Sequence, residues 1–385
     1  MKENYIEPDS KFIKDIINRG AGNLKKCFQC ATCSVLCKLS PEYKPFPRKE
    51  MIWSQWGLKD RLINDPDVWL CYQCNDCSVN CPRGAAPGDV LAAVRQAIIE
   101  HFSVPKFLGK MVGDPKFISI ILALPIALVL FMLYLSSKSG GGFNIDLHAE
   151  IVFRNFIPYV FLDSFAVTLT VIMAICYGTG LFRFWKELNK NPLPLEKTGL
   201  SFGKSAIKTL LELLNHSKFK ECEGNSLSRF LPHTFLWYGF IFMFVATSIV
   251  FVGIQLTHLK PELNLMPPWE LLSLVKILGN IGAIEVLVGL SIMVYIRLSN
   301  KENVGRRGSY FDWSFIILIY LVIITGISTE IVRIAGLALS AYVFYTLHLI
   351  FVFALLFYMP YSKFAHFLYR LLALVYAKYS GRSVE

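Results

Sequence analysis

Eight of the ten cysteines fall in two runs of one spacing, Cys27-x2-Cys30-x2-Cys33-x3-Cys37 and Cys71-x2-Cys74-x2-Cys77-x3-Cys81. This is the bacterial ferredoxin spacing, in which three thiolates wrap one [4Fe–4S] cube and the fourth reaches the other. Two runs therefore predict two cubes, one held by Cys27, Cys30, Cys33 and Cys81, the other by Cys71, Cys74, Cys77 and Cys37. Structural zinc also takes four thiolates, but its motifs pair two C-x2-C knuckles across a longer gap. Disulfides are disfavoured in a reducing cytoplasm. Pro82 follows the second run directly, whereas Lys38 follows the first and proline waits until Pro41. The backbone around Cys37 therefore departs from the ferredoxin turn. Cys176 and Cys222 read as packing or idle thiols.

Ionisable residues in apolar stretches are the second signal, because they are costly in lipid and imidazole commonly holds haem iron. His348 and His366 are 18 residues apart on what reads as one helix continuing past Pro360. At 3.6 residues per turn that is about five turns, with both rings on one face and roughly 27 Å apart. One helix can then serve two haems. His233 and His366 are the expected ligands of an inner b-type haem. The partner of His348 stays open among Met243, His258 and His148, and two haems are expected rather than one. His101 and His216 carry no such argument. Glu285 lies in one apolar run, and Glu330 with Arg333 ends another. The last two either pair at i,i+3 or form a quinone pocket, the carboxylate moving protons and the arginine holding a propionate or the headgroup.

Elements must position these residues. Six apolar runs, near 117–135, 158–181, 233–257, 274–296, 313–331 and 337–360, are long enough for a bilayer core that takes about 20 helical residues. The expected fold is mostly α. A cytoplasmic, helical, two-[4Fe–4S] ferredoxin-like domain over 1–116 precedes a six-helix transmembrane cytochrome b bundle over 117–385. The inner segment 184–232 carries amphipathic helical spacing at 204–214. Trp53, Trp56 and residues 59–67 read as short helices over the cubes, and 87–101 as a longer helix with Asp89 where a carboxylate suits exposed N–H groups.

Of 385 residues, 54% are hydrophobic and 17% charged, which excludes disordered, coiled-coil and small disulfide-stapled chains. Lys and Arg exceed Asp and Glu by 39 to 28, a net charge of +11. With the N-terminus inside, 34 of the 39 cations lie on the inner side, so both termini are expected in the cytoplasm at the inner membrane. The charge thus reads as an orientation signal. No basic stripe with interleaved aromatics points to nucleic acid. The opening MKENYIEPDSK lacks the apolar core of a signal peptide, which keeps the front domain cytoplasmic.

Residues 1–116, through CFQCATCSVLC and CYQCNDCSVNCP, resemble the HdrC iron–sulfur subunit of heterodisulfide reductases. The later part resembles the cytochrome b gamma subunit of respiratory nitrate reductase and HdrE-type subunits, in RFLPHTFLWYGF and FYTLHLIFVFALLFYMPYSKFAHFLY. The fusion in this order is similar to the QmoC family of the quinone-interacting membrane-bound oxidoreductases of sulfate reducers. That resemblance implies an electron-transfer subunit of an oxidoreductase complex rather than a stand-alone catalyst. Menaquinol would pass electrons through haem b and the two [4Fe–4S] cubes to HdrA-like flavoprotein partners, QmoA and QmoB, and thence to adenylylsulfate reductase. The gamma-subunit pattern places two histidines ten apart on the helix of His233. Met243 stands at the second position here, so the second haem's ligation is open. A quinol-linked heterodisulfide or sulfite-pathway reductase subunit and a zinc-stapled membrane scaffold are the competing readings.

Overall fold

The computed structural model describes residues 7–41, 44–144, 146–190, 200–215, 226–267, 269–299 and 308–382. Cys222, His216 and the rest of 191–199 and 216–225 in the expected inner segment lie outside the described residues. Helices dominate, and there is no strand among the described residues.

The N-terminal domain is built from short helices around one longer one. Helix α1 (Ser10–Asn18) begins where the Asp9 carboxylate accepts the Phe12 N–H at 2.9 Å, and it buries Phe12 and Ile16. Short helices α2 (Thr32–Val35), α3 (Arg48–Gln55), α4 (Lys59–Ile63), α5 (Asp67–Leu70) and α6 (Asp76–Val79) lead to α7 (Pro87–Phe102). Pro87 stands at the first helical position, where its missing N–H costs nothing. Val90, Leu91, Val94 and Ile98 of α7 are at most 1% exposed and form the spine of the core. Asp89 meets a different environment from the exposed helix start expected of it. Burial, and Asp312 beyond it, push its carboxyl up to about 7, so desolvation outweighs the helix dipole here.

After α8 (Lys106–Gly113) come α9 (Ile118–Lys138), the short α10 (Phe153–Phe156), α11 (Tyr159–Leu188), α12 (Phe202–Asn215), α13 (Ser226–Leu259), α14 (Leu274–Ser299), α15 (Tyr310–Ile334) and α16 (Ala338–Tyr358). Among the described residues six helices are long and apolar enough to cross a membrane, one for each apolar run of the sequence. The second and third extend well beyond their runs, to Leu188 and back to Ser226. Helices α13 and α14 approach closely through glycine. A Cβ on Gly239 would lie 2.7 Å from the Gly282 carbonyl oxygen, and one on Gly282 would lie 2.8 Å from that of Gly239. Small residues at such a seam let apolar helices gain contact where lipid offers no hydrophobic drive.

The single helix expected through His348 and His366 is broken. Helix α16 stops at Tyr358, a 3-10 turn spans Met359–Tyr361, Ser362 is extended, and a second turn leads into α17 (His366–Tyr379). Pro360 can neither donate to the ladder nor fit beside the carbonyl one turn earlier. The five-turn register between the two histidines therefore does not hold. Instead α17 packs on α5, α7, α11 and α12.

A buried charge cluster fixes the chain beyond α17. Glu50, Asp65 and Asp67 are 0%, 2% and 0% exposed. Lys49 Nζ lies 2.7 Å from both Asp65 and Asp67 and 3.2 Å from Glu50. From 315 residues away, Arg382 forks onto both oxygens of Asp67. Burial pushes Glu50 up to about 8; Lys49 opposes this and the two aspartates reinforce it. The three acids already hold two cations. Removing one partner of a buried pair costs about 3–5 kcal/mol. Arg382→Ala is thus expected to lower the thermal midpoint of the N-terminal domain and expose the tail to limited proteolysis. An unaltered melting curve would remove this role from Arg382.

Candidate metal centre and its contact with the helix bundle

The two cysteine runs fold alike. In the first, Gln29 and Ala31 have φ of 61° and 68°; in the second, Gln73 and Asn75 have φ of 57° and 72°. Left-handed backbone at non-glycine residues costs about 1–2 kcal/mol each, and it persists only where its surroundings over-determine it. Each loop then enters a four-residue helix, α2 or α6, which carries the third cysteine.

The thiols gather in two groups. Burial raises the Cys27 thiol, with Cys81 and Cys30 among its neighbours. Burial lifts Cys33 to about 11, with Cys27 and Cys30 adding to it. Cys37 is lifted by burial to about 12, with Cys71 and Cys74 next to it. Cys77 is raised by burial and then by Cys71 and Cys74. Cys33 reaches more weakly toward Cys37 and Cys77, so the two groups adjoin. Cys37, Cys71, Cys74 and Cys77 line one cavity, walled by Leu39, Phe46 and Leu91. No disulfide joins the described cysteines. The Gln73 and Ala85 N–H groups donate to the sulfurs of Cys71 and Cys81 at 3.3 and 3.4 Å, and hydrogen bonds to sulfur are one means of tuning a cluster. Two adjoining nests of four thiols, crossed between the runs, the second of them walled by apolar side chains, suit two four-iron clusters. Bound metal would invert the local charge balance and deprotonate these thiols.

Cys30 is exposed. Beside it in the chain Phe28 is 67% exposed and Val35 84%, with the Arg83 guanidinium 4.1 Å above the Phe28 ring. The second nest faces the helix bundle. Arg95, 3% exposed, donates from Nε to the Val68 carbonyl at 2.8 Å and from Nη2 to that of Cys71 at 3.1 Å, while its Nη1 lies 3.4 Å from His366 Nε2. Arg370 of α17 donates to the same Cys71 carbonyl at 3.1 Å. The Trp69 ring, fully buried, lies 5.5 Å from His366 and stacks on Tyr369. One guanidinium therefore touches both the cysteine loop and the histidine that opens α17. Arg95 has no motif spacing; a lone arginine among Ala92, Ala93, Val94, Ala97 and Ile98 is the signal it offers.

His233 interacts electrostatically with His366, whose imidazole burial and then Arg95 hold well below its ordinary pKa. A neutral ring has one lone pair, and because a guanidinium only donates, that lone pair sits at Nε2 facing Arg95, a contact that iron at this nitrogen would have to displace. His348 is held by α15: its Nδ1 donates to the Val322 carbonyl at 3.0 Å, which puts the ring's lone pair on Nε2. Met243 sits in the α13–α14 seam, its Cγ 3.0 Å from where a Cβ on Gly282 would lie. Glu330 and Arg333 take other partners than each other. Glu330 pairs with Lys276 at 3.2 Å, and Arg333 donates to the Ile151 carbonyl at 3.3 Å. A cross-helix lysine has outcompeted the i,i+3 neighbour.

The thiol nests and the six long helices define a class: an iron–sulfur protein with a two-cluster cysteine domain joined to a membrane-type helix bundle. The description "4Fe-4S dicluster domain" matches residues 23–85, and "Citrate utilization protein B" matches residues 114–384. The chain belongs to the Citrate utilization protein B family. For the helix bundle, this is the family found where the nitrate reductase gamma pattern was expected. The chain is similar to Citrate utilization protein B of Escherichia coli, 27% identical over 323 residues that cover 80% of each chain. Its N-terminal part is similar to two archaeal proteins. One is an HdrC-like heterodisulfide reductase protein of Archaeoglobus profundus, 34% identical over 96 residues, 24% of this chain and 51% of that one. The other is the HdrC component of the H(2):CoB-CoM heterodisulfide,ferredoxin reductase of Methanothermobacter marburgensis, 36% identical over 118 residues, 29% of this chain and 63% of that one. The chain thus spans between half and two thirds of these two relatives. No solved structure matches it.

Proposed function

We propose that this chain is a membrane electron-transfer subunit exchanging electrons between the quinone pool, menaquinone in the first instance, and cytoplasmic redox partners. In this reading Cys27, Cys30, Cys33 and Cys81 hold one [4Fe–4S] cluster and Cys71, Cys74, Cys77 and Cys37 the other. His233 and His366 hold an inner b haem, and His348 belongs to a second. The N- and C-termini lie in the cytoplasm, where the cation asymmetry of the sequence puts them. The observation that carries the reading is Arg95, which contacts His366 on one side and the Cys71 loop on the other. It sets the candidate haem histidine one side chain away from a cluster nest. Exposed Cys30, with Phe28 and Val35, marks the exit toward a soluble partner. The QmoC resemblance makes that partner an HdrA-like flavoprotein of the QmoA and QmoB kind, with adenylylsulfate reductase as the final acceptor.

A second reading is favoured by the match to Citrate utilization protein B over 80% of both chains. The same relay would then serve citrate utilization. Co-purified partners separate the two. The common core is tested by one preparation. Detergent-purified protein is expected to carry about eight non-haem irons per chain, from two four-iron clusters, and dithionite-reducible Soret and alpha bands. Zinc without iron, or no haem bands, would overturn the corresponding part.

A further inference from the structure

The end of the bundle remote from the cysteine nests carries a polar group that none of the sites above uses. Asp163 lies one turn inside α11. Phe184, further along the same helix, packs on Trp69 and Phe102 of the N-terminal domain. At 1.5 Å per residue the carboxylate is about 32 Å from that contact. A carboxylate inside an apolar, membrane-type helix is expensive and calls for a partner. Its Oδ2 accepts from Gln255 Nε2 of α13 at 2.9 Å. Its Oδ1 has no hydrogen-bond partner among the described residues. His258 of α13 interacts with it electrostatically, as do the phenols Tyr159 and Tyr345, and Arg154 and Arg333 bear on Tyr159. Phe153 stacks on the Tyr345 ring at 4.4 Å and forms an aromatic wall beside the polar atoms. Tyr345 precedes His348 by three residues on α16, close to one turn, or about 4.5 Å along the axis.

We infer that Asp163, with Gln255 and Tyr345, forms the binding site for a quinol headgroup, the free carboxylate oxygen accepting a hydrogen bond from a quinol hydroxyl. The inference rests on the quinone-exchange reading and moves the headgroup from Glu330 and Arg333, whose Oε1 and Nε are held apart by Lys276 and the Ile151 carbonyl, to a carboxylate set beside an aromatic stack. A flat ring beside the Phe153–Tyr345 stack presents its hydroxyl to an acceptor already aligned by the Gln255 amide. That arrangement suits a hydroquinone, whose flat ring can lie along the Phe153–Tyr345 stack while its hydroxyl meets the carboxylate.

The test is fluorescence-quench titration of the detergent-purified full chain with a fluorescent hydroxyquinoline N-oxide, a quinol analogue. Asp163→Asn is nearly isosteric and keeps a partner for Gln255, so iron content and optical spectrum report that the fold is intact. Loss of the charged acceptor is expected to weaken Kd at least about tenfold. Tyr345→Phe is expected to weaken it less, and Glu330→Gln to leave it unchanged. If the wild type binds and Asp163→Asn binds equally well, the site lies elsewhere and this inference fails while quinone exchange stands. If the wild type binds no analogue, both fail together.

Discussion

Replacing Cys77 by serine is expected to remove one cluster and leave the other. Cys77 lies in α6, within the nest that Cys37, Cys71 and Cys74 complete around one cavity. Serine is close in size, so the local helix holds, but a hydroxyl does not supply the thiolate that a four-iron cube needs. Iron and acid-labile sulfide are expected to fall by about half, from roughly eight to roughly four per chain. The low-temperature electron paramagnetic resonance spectrum of the reduced protein should lose one set of features and keep the other. Crossed ligation sharpens the test. Cys81→Ser is expected to remove the opposite set, although Cys77 and Cys81 belong to the same sequence run. If both variants lose the same signal, ligation follows the runs and the crossed assignment is wrong.

His366→Ala should have an effect of similar size at the other end of the Arg95 contact. If the proposed inner haem is held by this imidazole, the reduced alpha band is expected to fall by about half where two haems are bound, or to vanish where one is. The iron–sulfur signals should persist, because Trp69, Tyr369 and Arg370 still hold α17 against the N-terminal domain. Quinol-driven reduction of the clusters should slow by orders of magnitude while dithionite still reduces them. An unchanged haem spectrum would exclude His366 as a ligand.

These two experiments rest on features of unequal legibility in the sequence. The cysteine nests are readable because their spacing is local and iron accepts few other arrangements. The six long helices are readable because a bilayer core demands one length of apolar residues. The break at Pro360 is not. Period counting across Tyr358 to His366 assumes the helix it sets out to test, and the extended Ser362 leaves no mark on hydropathy. Glu330 and Arg333 mislead for a related reason, since spacing on one helix says nothing of Lys276 on another. Arg95 and the group around Asp67 are hidden by distance. Their partners come from α5, α17 and the tail, and no window of sequence contains them together.

The docking of α17 on α5 and α7 also acts as a parity check on assembly. A segment that follows six crossings returns to the side on which the N-terminal domain waits, whereas one that follows five or seven does not. Arg382 can then meet Asp67 only in a chain that has made an even number of crossings. A missed insertion leaves three buried acids short of a counter-ion and the face of Trp69 uncovered, the kind of defect that proteolytic quality control detects.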